Sequence, residues 1–159
     1  MTLLFLHVAI SIAALLIGIP VVIGVVTGHY PRNGSLIFLL LMIANCLSGL
    51  VLPAPGFTPA IGVAIISLAV VALAAFAAYS LKLRGLWAKV FALSIVLLQY
   101  FNMLVLVVQS FKHVDPLHAI APVGNEPVVN VTQLVVLVAF IAVGIFAVRR
   151  FKGAATVWR

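Results

Sequence analysis

Five long apolar segments follow one another along this chain, and none has Asp, Glu, Lys or Arg in its interior, since Lys89 lies near the start of the fourth. They cover about residues 3–26, 35–52, 60–81, 86–109 and 128–148. About 17–25 such residues suffice for an α-helix to cross the hydrocarbon core of a bilayer. Because that core offers no water to backbone N–H and C=O groups, a helix is the form that satisfies them within one segment. The sequence therefore predicts five transmembrane helices.

The composition leads to the same fold class. Hydrophobic residues make up 66% of the 159 residues and charged residues 7%, against about 45–50% and about 25% in soluble domains. A soluble domain of this size could not bury so much apolar surface. We therefore predict a single all-α membrane domain over residues 1–159, without a separate soluble module, and with the lipid bilayer as its main partner.

The basic residues lie mostly on one side of the predicted bundle. With five spans, one side has only Lys112 and the other has eight basic residues, which are Arg32, Lys82, Arg84, Lys89, Arg149, Arg150, Lys152 and Arg159. The positive-inside rule assigns the eight to the cytoplasm. We expect the N-terminus and the long 111–127 loop outside and the C-terminus in the cytoplasm. Because the cations are scattered between helices, the net charge of +7 does not indicate nucleic-acid binding.

Polar side chains inside the spans concentrate in the predicted outer half. His7 and Ser11 are one turn apart in the first helix, and Gln99, Asn102 and Gln109 follow one stripe of the fourth. Such groups can bond helices to one another, or they can fix a small molecule in an otherwise apolar pocket. On the pocket interpretation, we predict five ligand-binding residues, which are His7, Asn45, Asn102, Gln109 and Gln133.

Histidines offer a second type of site. His7 is the one ionisable residue expected within the membrane, where such groups are functional candidates; its alternative role is an interfacial histidine bonded to water or to a carbonyl. His113, Asp115 and His118 form H-x-D-x-x-H in the predicted outer loop, and these side chains are ligands for zinc, copper or iron. A haem held by His7 together with His113 or His118 is a further hypothesis.

Several short motifs resemble those of a family of small, uncharacterised bacterial inner-membrane proteins. The motifs are GFTPA at Gly56–Ala60, ISL at Ile66–Leu68, AP-x3-EP at Ala121–Pro127 followed by Gln133, and AVRRF at Ala147–Phe151. The resemblance covers nearly the whole chain and implies a multi-pass protein of the bacterial inner membrane. In that family a histidine often follows GFTPA, where this sequence has Ile61. The resemblance therefore transfers no functional residue.

Function is constrained less than fold. The sequence contains no recognisable catalytic motif, so it favours binding over catalysis, and it indicates no particular cofactor. The first hypothesis is a protein that binds a quinone-like or lipid-like molecule in the outer half. The second is a structural or accessory subunit of a larger respiratory or photosynthetic membrane complex, or a homo-oligomer. Small residues would then face partner helices, and the candidates are Gly18, Gly24, Ala74, Ala75, Ala77 and Ala78. The third is a haem-binding or metal-binding redox protein.

Overall fold

The computed structural model describes residues 2–53, 56–124 and 126–153. In this part of the chain all regular structure is helical, and five helices are long and apolar enough to cross a membrane. The helices are α1 (Thr2–Thr27), α2 (Arg32–Val51), α3 (Pro59–Ala75, continued by a π-helical turn, Phe76–Ser80), α4 (Leu86–His113), α5 (Asp115–Ile120) and α6 (Pro127–Arg150). The prediction of an all-α bundle with five spans is confirmed.

Local sequence explains where the helices begin and continue. Thr58 caps α3 by accepting a hydrogen bond from Ile61 N through Oγ1 (3.4 Å), and Pro59 occupies the first helical turn, where its missing N–H is not needed. Helix α1 continues through Pro20, which membrane helices tolerate when neighbouring groups satisfy the freed backbone.

Much of the segment 111–127, which the sequence predicted as a loop, is helical. Helix α4 extends to His113, and the short helix α5 follows almost at once. Phe111, Ala121 and Val129 form a small buried cluster against which this segment packs. The carboxylate of Glu126 then orders the turn before α6, because it accepts hydrogen bonds from the backbone N–H groups of Val123 and Gly124, both at 2.7 Å.

Helices α1 to α4 pack in a ring, with each helix against the next and α4 against α1. Helix α6 packs on the outside of this ring, against α4 and α1. The apolar stretch of α4 is 44% buried within the chain, whereas that of α6 is 11% buried. Large apolar side chains such as Leu16, Leu40 and Leu134 are more than half exposed. An apolar exterior of this kind is suited to lipid, which supports a multi-pass membrane protein.

The bundle has two chemically different ends. We call one the loop end, where α5, residues 121–124 and Glu126 lie, and the other the basic end, where Arg32, Arg84 and Arg150 are exposed. At the basic end the ring of Tyr30 packs edge-on against Phe91 (5.4 Å between ring centres), and Phe91 contacts Phe151 (5.8 Å). Phe151, just after α6, is thereby buried. Arg159, which the topology prediction includes, lies outside the described residues.

Small residues have a different role from the one that the subunit hypothesis required. Gly18, Ala74, Ala77 and Ala78 are buried among the helices of this chain itself. They let neighbouring backbones approach closely, but their surfaces are already covered. The expectation that these four residues face partner helices is therefore wrong.

Candidate ligand-binding cavity

A cavity of about 260 Å³ lies inside the ring of α1 to α4, in the half nearer the loop end. All four helices contribute polar side chains to its wall, namely His7, Ser11, Asn45, Cys46, Thr58, Ser67, Asn102 and Gln109. The remaining wall is apolar. Several lining residues at the loop end are exposed, among them Leu4, Pro53 and Ala60. The cavity is therefore open towards that end of the bundle.

Hydrogen bonds between α1 and α2 order one wall of the cavity. Ser11 Oγ donates to Asn45 Oδ1 at 2.6 Å, and His7 Nδ1 is 2.8 Å from Ser48 Oγ. The Ser48 hydroxyl also donates to the backbone carbonyl of Asn45 at 3.0 Å. A neutral imidazole has one N–H donor and one unprotonated nitrogen that accepts. The tautomer decides which of these roles Nδ1 has towards Ser48.

The imidazole of His7 fits against α2 because residue 49 is glycine. A Cβ built on Gly49 would lie 3.1 Å from His7 Cε1, closer than nine in ten real contacts of a Cβ, so the ring would have to move. The absence of a side chain at Gly49 thus allows the ring to reach Ser48. His7, which is partly buried, thus packs against α2.

Asn102 lines the cavity with a side-chain amide that makes only one of its possible hydrogen bonds within the described part of the chain. Its Oδ1 accepts a hydrogen bond from Asn45 Nδ2 over 3.4 Å, which links α4 to α2 across the ring. The side chain is 7% exposed. Its Nδ2 has no hydrogen-bond partner among the described residues. A buried donor without a partner loses about 1–3 kcal/mol of solvation, so this amide would gain from a ligand oxygen or an ordered water.

Gln99 shares the stripe of Asn102 but has another role. Its Nε2 donates to the backbone carbonyl of Leu15 in α1 at 3.0 Å, and the side chain packs against Gly18. Gln99 is not among the residues that line the cavity. The stripe on α4 therefore divides: Gln99 joins two helices, whereas Asn102 and Gln109 face the cavity.

Four of the five predicted ligand-binding residues come together in the cavity wall. His7, Asn45, Asn102 and Gln109 all line it. Gln133 lies on α6, outside the ring that encloses the cavity, and does not line it. The sequence placed Gln133 near the correct end of the membrane, but it could not show that α6 packs outside the ring. A ligand-binding role for these residues stays a prediction.

The predicted metal-binding residues lie outside the cavity. His113, Asp115 and His118 are exposed at the end of α4 and in α5. In the described part of the chain, no three His, Cys, Asp or Glu side chains are close enough together to hold a metal ion. His7 is turned towards Ser48 on α2 rather than towards α5. The geometry thus gives the metal and haem hypotheses no support.

Four further polar lining residues were not among the predicted ligand-binding residues, namely Ser11, Cys46, Thr58 and Ser67. Thr58 is the N-terminal cap of α3. Ser67 of α3 is buried and forms a hydrogen bond with the thiol of Cys46 on α2. Cys46 is 5% exposed, as is usual for a cysteine that packs as a small hydrophobic side chain. Ser67 is a lone polar residue in an apolar span, and that isolation was the available signal.

Comparison with known proteins gives no match: no family model, no curated protein and no solved structure matches this chain. The interpretation of the cavity therefore depends on its own geometry.

Proposed function

We propose that this membrane protein binds a small amphipathic molecule of the quinone or lipid type. The polar head of this molecule would lie in the cavity that the ring of helices α1 to α4 encloses. The observation that carries the proposal is the buried amide of Asn102, which lines the cavity and has a donor without a partner among the described residues. A polar group of a ligand in the cavity would supply the partner that this amide lacks.

The size of the cavity indicates how much of the ligand enters. Its volume of about 260 Å³ is slightly below the roughly 300–1,000 Å³ of pockets that enclose whole drug-sized molecules. A ring or a compact headgroup fits this volume, whereas a long tail does not. The tail would stay outside the cavity, against exposed apolar side chains at its edge such as Leu4.

The polar groups define the chemistry of the head. In this proposal the Asn102 amide donates to a carbonyl oxygen of the ligand, and the imidazole of His7 forms a hydrogen bond with a hydroxyl group. Quinones and quinols carry such oxygens on a flat ring, and lipid headgroups carry them on ester and glycerol groups. The mostly apolar wall would exclude water around these few polar contacts, as in other small-molecule sites.

The alternative of an accessory subunit is less well supported, because four of the six small residues that it invoked are buried within the chain. We also propose a location in the bacterial inner membrane, with the loop end outside. The imbalance of Lys and Arg between the two ends supports this orientation, and the motif resemblance supports the bacterial membrane.

Equilibrium dialysis with a benzoquinone that carries a decyl tail tests the proposal on the purified protein. We expect saturable binding to one site, and Asn102→Leu should weaken it about tenfold or more, because one buried hydrogen bond is lost. Gln133→Leu is the matched control: it removes the same type of group near the loop end but outside the cavity, and affinity should be unchanged. A lysophospholipid probe distinguishes a lipid from a quinone. Lack of saturable binding by both probes, or equal effects of the two substitutions, would refute the proposal.

A further inference from the structure

A second concave surface, separate from the polar cavity, is an apolar groove between α4 and α6. It has a volume of about 450 Å³, and its walls include Leu93 and Tyr100 from α4 and Ile141 and Ile145 from α6. Leu93, Ile141 and Ile145 are each about half exposed. Because α6 packs on the outside of the ring, this groove faces the surrounding membrane rather than the interior of the bundle.

The groove is shallow where the two helices meet at Gly144. A Cβ built on this residue would lie 3.7 Å from Leu93 Cδ1 and 3.9 Å from Val96 Cγ1, which is ordinary van der Waals contact. The close approach at Gly144 forms a floor of apolar side chains. An extended hydrocarbon chain lying along the helices would contact this floor and both walls.

One end of the groove carries positive charge. Arg149 is among its lining residues at the basic end. Lys89 lies four residues before Leu93 on α4 and hence on the same face of that helix. Both side chains are exposed. The neighbouring Arg150 is oriented differently, since its guanidinium lies over the ring of Phe146 at 5.6 Å.

No acidic side chain of the protein can neutralise these two cations. The only acidic residues in the sequence are Asp115 and Glu126, and both lie at the loop end, on the opposite side of the membrane-spanning region. An anion from outside the chain is therefore the natural counterpart of Arg149 and Lys89. An apolar groove that ends in unneutralised cations matches a molecule with a hydrocarbon chain and an anionic headgroup.

We propose that the groove between α4 and α6 is a binding site for one anionic phospholipid. One acyl chain lies along Leu93, Gly144 and Ile145, and the phosphate group binds Arg149 and Lys89. Basic pockets between transmembrane helices are known to bind acidic headgroups. The groove is separate from the polar cavity, so this proposal does not depend on whether the cavity binds a quinone.

Native mass spectrometry of the full chain in detergent tests this site, with dioleoyl-phosphatidylglycerol as the anionic probe and dioleoyl-phosphatidylcholine as the neutral one. We expect one phosphatidylglycerol molecule to bind at least tenfold more tightly than phosphatidylcholine. The double variant Arg149→Gln/Lys89→Gln should lose about thirtyfold in affinity for phosphatidylglycerol, because each cation near the headgroups contributes about fivefold. Ile145→Trp, which fills the groove, should weaken the binding of both lipids.

A control variant distinguishes the site from a general effect of charge. Arg84→Gln/Lys152→Gln removes two exposed cations of the same end that are not among the groove residues, and it should leave lipid affinity unchanged. Equal binding of the two lipids, or an equal loss in both double variants, would show that the site is not specific and would overturn the proposal. If Ile145→Trp dissociates a dimer and leaves lipid binding unchanged, a second copy of the chain covers the groove and the proposal is wrong. Thermal unfolding of each variant verifies that it is folded.

Discussion

Gln99 of α4 packs directly against Gly18 of α1, and its Nε2 donates a hydrogen bond of 3.0 Å to the backbone carbonyl of Leu15, one turn earlier in α1. Phe38 of α2 closes the same contact, since its Cε2 would lie 2.7 Å from a Cβ built on Gly18. Three helices of the ring therefore meet at a position where any side chain would overlap its neighbours. This junction fixes the relative positions of α1 and α4, both of which form walls of the cavity.

Gly18→Ala should destabilise the bundle. The added methyl group meets Gln99 Oε1 and Phe38 Cε2 in a packed core, where such overpacking costs about 1–3 kcal/mol. In thermal unfolding of the detergent-solubilised protein, we expect the midpoint to fall by about 2–10 °C.

Gly144→Ala is the matched control for Gly18→Ala. It also adds one methyl group to a buried helical glycine, but its Cβ would have only ordinary contacts, at 3.7 Å or more. Because alanine is the better helix former by roughly 0.5–1 kcal/mol, the unfolding midpoint should stay the same or rise. Equal losses in both variants would show that the Gln99–Gly18 contact is not a special constraint.

The helices were predictable from the sequence because each segment in the bilayer core must satisfy its own backbone hydrogen bonds. A run such as residues 3–26, without a charged residue, can be stable in a bilayer in essentially one backbone conformation. The end of α4 was less predictable. Lys112 and His113 look like loop residues by their polarity, yet they continue the helix to His113 because they lie beyond the apolar stretch, where polar side chains are tolerated.

The face of each helix on which a polar residue lies was predictable, but the group that this residue contacts on another helix was not. The stripe of Gln99 and Asn102 was evident from their spacing, whereas only the packing of α1 shows that Gln99 bonds to Leu15 and Asn102 faces a cavity. Gln133 illustrates the same gap, because the position of α6 outside the ring depends on contacts between helices that have almost uniformly apolar faces. Such faces give no periodic signal from which to choose partners.

Tyr30 at the basic end should titrate at unusually high pH. Burial, assisted by the nearby Tyr79, raises the pKa of Tyr30 from 10.0 to about 12, against the opposing effect of Arg32. A raised phenol pKa means that Tyr30 keeps its proton to a higher pH in the folded state than in the unfolded state. The stability that results is complete below about pH 10 and is lost as the pH rises towards about 12.

The measurement for Tyr30 is the stability of the protein against pH in this alkaline window, with Tyr30→Phe for comparison. The wild type should lose stability between about pH 10 and pH 12 through ionisation of Tyr30, and the variant should lack this component. Identical profiles for the two proteins would show that Tyr30 does not titrate differently in the folded state.

The orientation of the chain can be tested by labelling single cysteines. In a Cys46→Ala background, Ala119→Cys places a thiol at the exposed loop end, and Ser80→Cys places one at the exposed basic end. A maleimide that does not cross membranes should label Ala119→Cys on intact bacterial spheroplasts and Ser80→Cys only after permeabilisation, as the distribution of Lys and Arg predicts. The reverse pattern would contradict the proposed orientation.

Cys46 allows the most direct test of the cavity, because it is the single cysteine of the chain and it lines the cavity wall. The measurement is the rate at which a small methanethiosulfonate reagent modifies Cys46 in the folded protein, with and without the decyl-benzoquinone probe. If the head of the probe occupies the cavity, a concentration of roughly ten times Kd should slow the reaction about tenfold, because only the unoccupied fraction reacts. In Asn102→Leu the same concentration should protect much less. An unchanged rate at concentrations where dialysis shows the probe bound would mean that the ligand lies elsewhere, and it would contradict the proposed function.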